Sequence, residues 1–218
     1  RNRFSGLHYN NWNVIEFDPL LDSSNIAVQE WNNIGRTIAK HYDEYDGFVV
    51  LHGTDTMSYS ASALSFMFDN LSKPVVFTGS QLPVGVLRSD AKENLLTAIE
   101  IAAAYDANGP IVPEVCLYMD GELYRGNRTT KRNAEHFSAF KSYNYPALAK
   151  AGVHITYNRQ FIEPHVGETT PLKLLKQFDT RVAILKLFPG ITEDVVAAVL
   201  DIPNLKGVVL ETFGSGNA

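Results

Sequence analysis

The sequence is nearly free of cysteine: Cys116 is the only one among 218 residues. An intrachain disulfide and a cluster of thiolate metal ligands are therefore both excluded. No apolar run reaches membrane-spanning length, and the first residues, RNRFSGLHYNN, lack the pattern of a secretion signal. These absences are compatible with a soluble protein of a reducing compartment.

The sequence also lacks a strong charge of either sign. It has 19 Lys and Arg against 24 Asp and Glu, a formal net charge of −5, and it contains no basic run. This balance argues against a nucleic-acid partner. Hydrophobic residues make up 45% of the chain and charged residues 20%, which excludes a disordered or fibrous protein.

Short apolar runs alternate with helical patterns along the chain. Several runs consist almost entirely of Val, Ile, Leu and Phe, as in strands that are covered on both faces. Strands in series with helices predict an α/β fold with a doubly wound, mainly parallel sheet. The predicted strands are Val14–Phe17, Phe48–Leu51, Val75–Thr78, Val115–Tyr118, Val153–Thr156, Val182–Leu187 and Val208–Leu210.

Apolar residues at helical spacing mark the predicted helices. They are Trp31, Ile34, Ile38 and Tyr42 in the first, Leu64, Phe68 and Leu71 in the second, Leu95, Ile99 and Ala102 in the third, and Glu193–Leu200 as the fourth. The stretch 158–180 contains Pro164, Gly167 and Pro171 and is predicted to be a linker. It separates a first domain over residues 1–157 from a second part over residues 181–218.

Polar residues follow the predicted strands. Ligands of doubly wound sheets bind outside the carboxyl ends of the strands, so these groups can converge on one edge of the sheet. The groups are Asp22-Ser23-Ser24, His52-Gly53-Thr54-Asp55, Gly79-Ser80-Gln81 and the run 126–131, which ends in Lys131.

The segment Leu51–Met57 runs from a buried strand through a glycine, a hydroxyl and a carboxylate into a helix. Gly53 lets the backbone come close to a ligand, and the helix amino terminus favours an anion. In the alternative interpretation, Asp55 or Thr56 simply caps the helix.

The other polar groups have structural alternatives too. A buried Lys131 could activate a hydroxyl, whereas most lysines in polar loops are solvated. Ser23 and Ser24 could donate hydrogen bonds to a carboxylate or cap the first helix. Ser80 and Gln81 could line a pocket or serve as turn residues.

Motifs for metals and nucleotides are missing. The six histidines have no metal-ligand spacing, and neither a phosphate-binding loop nor a Gly-x-Gly-x-x-Gly fingerprint is present. There is no Gly-x-Ser-x-Gly nucleophile motif either. The sequence therefore predicts no metal and no cofactor.

Taken together, these segments resemble the bacterial-type L-asparaginases. The match covers FVVLHGTDTMSYSASALSFMFDNLSKPVVFTGSQLP at 48–83, and the run Leu21-Asp22-Ser23-Ser24 is similar to the cytosolic type I branch. Further matches are 87–90, 124–131, 188–191 and 213–217. The resemblance implies an asparaginase N-terminal catalytic domain at 1–157, incomplete at its start, and the beginning of the C-terminal domain at 181–218.

This resemblance implies hydrolysis of L-asparagine to L-aspartate and ammonia by threonine-based catalysis, without metal or cofactor. Thr54 matches the second catalytic threonine of the family, Asp55 the residue that binds the α-ammonium, and Lys131 the third member of a Thr-Lys-Asp cluster. A lysine paired with Asp55 is favoured as the cation, whereas a general base must be neutral, so the proton path stays open. Substrate contacts are implied for Ser23, Ser24, Asp55 and Ser80.

The sequence departs from the family in two respects that matter for activity. The family motif Thr-Gly-Gly-Thr-Ile-Gly, whose threonine is usually taken as the nucleophile, is absent, as is most of the second domain. The chain is therefore expected to be a fragment with little or no activity alone. The resemblance further implies a cytoplasmic homodimer or dimer of dimers, in which a neighbouring subunit helps to close the active site, and no nucleic-acid or membrane partner.

Three alternatives remain open, two of them among relatives that the resemblance implies. An amidotransferase subunit acting on misacylated tRNA shares the Gly-Thr-Asp-Thr-Met loop, although the charge of −5 opposes an RNA partner. Glu211-Thr212-Phe213 resembles animal relatives that are linked to lysophospholipase activity. A binding fragment would keep the amino-acid pocket without the nucleophile. The preference between asparagine and glutamine stays open.

Overall fold

Helices and strands alternate through the computed structural model, which describes residues 12–165, 167, 170–175 and 177–218. The helices are α1 Val28–Lys40, α2 Met57–Met67, α3 Ala91–Ala102 and α4 Glu193–Leu200, with short 3-10 helices at Ser23–Asn25, Gly126–Arg128 and Arg159–Phe161. The strands are β1 Phe48–Leu51, β2 Phe68–Asp69, β3 Val75–Thr78, β4 Tyr105–Asp106, β5 Gly109–Pro110, β6 Val115–Met119, β7 Glu122–Arg125, β8 Thr130–Lys131, β9 Phe140–Lys141, β10 Ala149–Ala151, β11 Ile155–Tyr157, β12 Lys173–Leu174, β13 Val182–Lys186 and β14 Gly207–Glu211. The chain divides between residues 176 and 177 into two compact units.

The first unit is built on a six-stranded sheet in the order β1-β3-β6-β7-β10-β11. Strands β1, β3 and β6 are parallel, and Leu51 at the end of β1 lies opposite Thr78 at the end of β3. The remaining neighbours in the sheet pair antiparallel. The α/β class predicted from the sequence is confirmed, and the sheet is mixed.

A tight hairpin turns the sheet from parallel to antiparallel. Asp120 and Gly121 join β6 to β7 with φ angles of 50° and 81°. Two residues with positive φ match the right-handed twist of a hairpin, and Asp-Gly is a preferred pair for such a turn. The short connection forces β7 to run back beside β6, so this part of the sheet is antiparallel.

The core lies between the sheet and the helices α2 and α3. All four residues of β3 and all five of β6 are buried, as predicted for strands covered on both faces. Ala98 and Ile101 of α3 pack with Val76, Tyr118 and Leu148, and all five are at most 1% exposed. This packing holds the carboxyl ends of β1 and β3 side by side.

Three predicted elements differ from the structure. The prediction of a strand at Val14–Phe17 was wrong, because these residues form no strand and are exposed, with Val14 at 61%. A strand needs a partner to pair with, and an apolar run alone does not supply one. The second helix ends at Met67, since Phe68 and Asp69 pair with β12. The last strand of the sheet begins at Ile155, after a bend over residues 152–154.

The second unit is a strand-helix-strand arrangement. β13 and β14 are parallel, with Val182 opposite Gly207, and α4 connects them. The helix has the predicted bounds, Glu193–Leu200. The stretch 158–180, predicted as a linker, holds a 3-10 helix and β12, and the division between the units falls inside it.

No helix of the described residues combines the length and the apolar character that a membrane crossing requires.

Candidate active site

Thr54 and Asp55 lie in the loop from β1 to α2, at the carboxyl edge of the sheet. Lys131 of β8 reaches this loop from a distant part of the sequence. Its Nζ donates hydrogen bonds to Thr54 Oγ1 at 2.8 Å and to Asp55 Oδ1 at 2.6 Å. The predicted convergence of the three side chains is therefore confirmed as geometry, while their catalytic roles stay predictions.

Burial separates the two charged members of this cluster. The side chain of Lys131 is 17% exposed and that of Asp55 is 61% exposed. Lys131 is thus not the solvated surface lysine of the alternative interpretation, and the Asp55 carboxylate remains accessible to a ligand. Both border an open groove of about 380 Å³. The other residues that line it are Ser58, Tyr59, Thr130, Arg132, Asn133 and Ala134.

Ser23 packs directly against the Thr54 loop. It is 6% exposed, its Oγ accepts a hydrogen bond from the Asp55 N–H at 3.3 Å, and its carbonyl accepts one from Thr56 Oγ1 at 2.5 Å. A hydroxyl that accepts from a backbone N–H still has its own proton to donate. Ser23 can therefore brace the loop and also donate to a carboxylate. Thr56, the N-cap of α2, makes no side-chain capping bond.

Ser24 is placed differently from its neighbour. It is exposed, and both its N–H and its Oγ donate to Asp22 Oδ1 at 2.8 Å. These bonds lower the pKa of Asp22, with the backbone bond as the larger cause. Neither serine caps α1: the helix follows Ala27, whose N–H donates to Glu30 Oε2 at 2.8 Å. Ser24 lies beside the cluster, with its hydroxyl held by Asp22.

Ser80 lies two residues beyond Thr78, at the edge of the sheet where β1 also ends. It is half-buried. Within the described part of the chain, no hydrogen bond joins its hydroxyl to Thr54, Asp55 or Lys131. The structure thus places Ser80 at the predicted edge without bringing it into the cluster.

Gln81 connects this edge to the wall of the groove. Its Nε2 donates to the carbonyls of Ala134 and His136 at 3.1 and 3.0 Å, in the segment that follows β8. Its backbone N–H donates to the Asp90 carboxylate at 3.0 and 3.1 Å. Gln81 therefore does more than form a turn, and it couples the end of β3 to the segment after Lys131.

Sequence reasoning missed Asp90 and Asn94, which brace the loop after β3. Asp90 accepts hydrogen bonds from the backbone of Gln81 and Leu82, and the Asn94 amide donates to Asp90 and to the Gly79 carbonyl at 3.0 Å. Asn94 is 2% exposed. An Asp just before a helix is a common cap signal, and it could have marked Asp90 in advance.

Gly53 leaves no room for a side chain. A Cβ atom at this position would lie 2.6 Å from Ser23 Oγ and 2.8 Å from Ser23 Cβ. Since Ser23 is buried, it cannot move aside without disturbing its bonds to Asp55 and Thr56. The close approach of these two loops therefore requires glycine at position 53.

The substitution Gly53→Ala is expected to lower the free energy of unfolding by about 1–3 kcal/mol, the usual cost of overpacking. Urea unfolding measures this change. Gly85→Ala is the matched control, because a Cβ at Gly85 meets nothing within 4 Å. Equal unfolding midpoints for the two variants would contradict the crowding inferred at Gly53.

A family model described as "Asparaginase, N-terminal" matches residues 4–163. The chain belongs to the asparaginase family. The L-asparaginase I of Vibrio cholerae has a similar structure, with a TM-score of 0.86 and 44% identity over 94% of this chain and 60% of that one. The family resemblance inferred from the sequence motifs is therefore confirmed.

Two curated relatives extend the comparison of this asparaginase-family chain. L-asparaginase 1 of Escherichia coli K12 is 47% identical over 206 residues, which are 94% of this chain and 58% of that protein. The 60 kDa lysophospholipase of Mus musculus is 48% identical over 206 residues, 94% of this chain and 35% of that protein. The chain thus spans between about a third and three fifths of these relatives.

Proposed function

We propose that the protein carrying this chain hydrolyses the side-chain amide of L-asparagine to L-aspartate and ammonia. One observation carries the proposal: in a chain of the asparaginase family, the Lys131 ammonium lies within hydrogen-bond distance of both Thr54 Oγ1 and Asp55 Oδ1. A hydroxyl, a cation and an accessible carboxylate at one edge of the sheet suit the amide of a small amino acid.

The two ends of the substrate need opposite partners. An α-ammonium group needs a carboxylate, and Asp55, with its side chain 61% exposed, offers one. An α-carboxylate needs donors, and the Ser23 hydroxyl supplies one, with Ser24 beside it at the same corner. Ser80, at the end of β3, is the proposed neighbour of the side-chain amide. Holding both charged ends orients the amide for reaction.

The reaction itself is assigned to Thr54 and Lys131. Hydrolysis breaks the C–N bond, adds the oxygen of water to the carbonyl carbon, and releases the nitrogen with a proton. Thr54 supplies the hydroxyl for this threonine-based catalysis. Thr54 Oγ1 accepts a charge-assisted hydrogen bond from Lys131, which leaves the hydroxyl proton of Thr54 free to be donated towards the substrate amide. Asp55 holds the lysine at 2.6 Å, so the cation is already in place.

For the whole protein we also propose a cytoplasmic homo-oligomer with no nucleic-acid or membrane partner. The net charge of −5 and the lack of a basic run support the absence of a nucleic-acid partner. The single, buried Cys116 suits a reducing compartment.

The purified whole protein that carries this chain, rather than these 218 residues alone, is expected to release ammonia from L-asparagine, with L-glutamine as the comparison substrate. A coupled ammonia assay gives kcat and KM for each amide. Filter binding with tRNA tests the amidotransferase alternative, and no binding is expected. Calorimetric binding of L-aspartate without any turnover of L-asparagine would contradict the proposal and support a binding protein instead.

The identity with the mouse lysophospholipase favours one second candidate, hydrolysis of lysophospholipids. The groove beside Thr54 is lined mainly by polar and charged residues, among them Lys131, Arg132 and Asn133. Such a lining suits a zwitterionic amino acid better than an acyl chain. Fatty acid release from lysophosphatidylcholine micelles, measured beside the ammonia assay, distinguishes the two activities.

A further inference from the structure

A chain of hydrogen bonds runs behind Thr54 through three separate elements. Trp31 Nε1 of α1 lies 2.9 Å from Ser60 Oγ of α2, and Ser60 Oγ lies 2.8 Å from His52 Nε2. His52 Nδ1 lies 2.7 Å from the carbonyl oxygen of Gly53. The chain therefore ends on the peptide group that joins Gly53 to Thr54.

The chemistry of these groups determines where each proton lies. The indole N–H of Trp31 can only donate, so Ser60 Oγ accepts from it. The single hydroxyl proton of Ser60 can then be donated to His52 Nε2. A neutral imidazole that accepts at Nε2 carries its proton on Nδ1, and this N–H donates to the Gly53 carbonyl. For a neutral ring, one arrangement of protons satisfies all three contacts.

The other neutral tautomer does not fit. With the proton on Nε2, the lone pair of Nδ1 would face the Gly53 carbonyl oxygen at 2.7 Å, and two acceptors at that distance repel. Burial also lowers the pKa of His52 and favours the neutral ring. The surroundings thus select a single state of the imidazole.

The ring is held in place from the other side as well. The His52 N–H donates to the Thr78 carbonyl at 2.9 Å, which extends the pairing of β1 with β3. The ring lies 5.9 Å from the Phe77 ring, centroid to centroid. A Cβ at Gly79 would lie 2.2 Å from the His52 carbonyl oxygen, so the backbones of these two residues lie too close together for a side chain between them.

We propose that His52 is a positioning residue for Thr54: its Nδ1–H holds the Gly53 carbonyl and so fixes the peptide plane from which Thr54 projects. The peptide group is planar, so holding the carbonyl oxygen of Gly53 also fixes the direction of the Thr54 N–H and Cα. The Thr54 hydroxyl is thereby directed towards Lys131. The proposal rests on the proposed amide hydrolysis, and it gives His52 no contact with the substrate.

Asparagine and glutamine can each replace one nitrogen of the His52 ring with a side-chain amide. In His52→Asn the side-chain NH2 reaches the position of Nδ1 and can donate to Gly53, whereas in His52→Gln it reaches the position of Nε2 and cannot. Small displacements of a reacting group can cost about a hundredfold in rate, so His52→Gln is expected to lower kcat for L-asparagine by roughly ten- to a hundredfold. KM should change much less than kcat, because Ser23 and Asp55 stay in place.

His52→Asn is the matched rescue, with kcat expected close to that of the unsubstituted protein. Unfolding midpoints measured for both variants show whether either is simply destabilised. If His52→Gln does not fold, Ser60→Ala replaces it, since loss of the Ser60 hydroxyl frees Nε2 and is also expected to lower kcat. Equal kcat values for His52→Asn and His52→Gln, both folded, would overturn the proposal.

The tautomer can be measured without substrate. Nitrogen-15 NMR of the imidazole distinguishes a proton on Nδ1 from one on Nε2, and His52→Asn identifies the signals that belong to His52. The proposal expects the Nδ1–H form in the unsubstituted protein. An Nε2–H form in the unsubstituted protein would overturn it. This readout holds even if asparagine is not hydrolysed, so it separates failure of the positioning role from failure of the proposed function.

Discussion

Replacing Thr54 with alanine is expected to lower kcat for L-asparagine by about a thousandfold, equivalent to about 4 kcal/mol of activation free energy. The alanine removes the hydroxyl that Lys131 Nζ meets at 2.8 Å, while Asp55 and Ser23 remain to bind the amino acid. The affinity for L-aspartate should therefore change little. Steady-state ammonia release and calorimetry with L-aspartate measure the two effects separately.

Lys131→Met tests the pair of Thr54 and Lys131 by removing the lysine. Methionine keeps much of the side-chain volume but removes the cation, so a loss of kcat of similar size is expected. Lys150→Met is the control, because Lys150 is paired with Glu122 at 2.8 Å but is 72% exposed and lies outside the cluster. Near-normal kcat in Thr54→Ala, or an equal loss in Lys150→Met, would contradict the assignment.

Replacing Glu114 with glutamine is expected to lower the free energy of unfolding by about 3 kcal/mol, the lower end for breaking a buried ion pair. The Glu114 side chain is 8% exposed and accepts from Arg125 Nε at 2.6 Å and Nη2 at 3.2 Å. The substitution leaves a largely buried guanidinium without its main counter-ion. The effect stays at the lower end because Glu163 also lies 3.1 Å from Arg125.

Glu163→Gln is the matched control for this ion pair. The Glu163 side chain is 63% exposed, and exposed ion pairs contribute about 0–1 kcal/mol. Urea unfolding of the two variants compares them directly. Glu114 also accepts from the Glu163 backbone N–H at 2.7 Å, so Glu114→Gln should speed hydrogen exchange at that amide. Equal destabilisation by the two substitutions would show that the buried position of Glu114 adds nothing.

Local sequence patterns predicted the helices and most of the longer strands. The helix α4 has the predicted bounds, and α3 carries the predicted stripe of Leu95, Ile99 and Ala102. The reversal at Asp120-Gly121 also has a local signal, because Asp-Gly is a dipeptide typical of hairpins. The segment Val14–Phe17 shows the limit of such signals, because a strand depends on a partner that apolar spacing does not reveal.

In the candidate site, too, local patterns predicted the residues but not the contacts that depend on the tertiary fold. The rule for the carboxyl ends of parallel strands placed Thr54, Asp55 and Ser80 at one edge, and family motifs selected Lys131. The contact of Lys131 with Thr54 depends on the path of the chain after β7, which no local pattern determines. The hydrogen bonds among His52, Ser60 and Trp31 join three elements, and the spacing of these residues along the sequence does not predict them. The hydroxyl of Ser24, predicted to bind substrate, is held by its own neighbour Asp22.

The strand that carries Lys131 has a mechanical consequence for any experiment on this lysine. β8 is matched to β9 at two residue pairs, Thr130 with Lys141 and Lys131 with Phe140, and it is not part of the six-stranded sheet. The bonds from Lys131 to the Thr54 loop, together with those from Gln81, anchor this small ribbon to the rigid sheet. Replacing Lys131 therefore removes these anchoring hydrogen bonds as well as a positive charge. A substrate whose ammonium group pairs with Asp55 would weaken the bond between Asp55 and Lys131. The mobility of the β8–β9 ribbon should therefore increase when the ligand is bound.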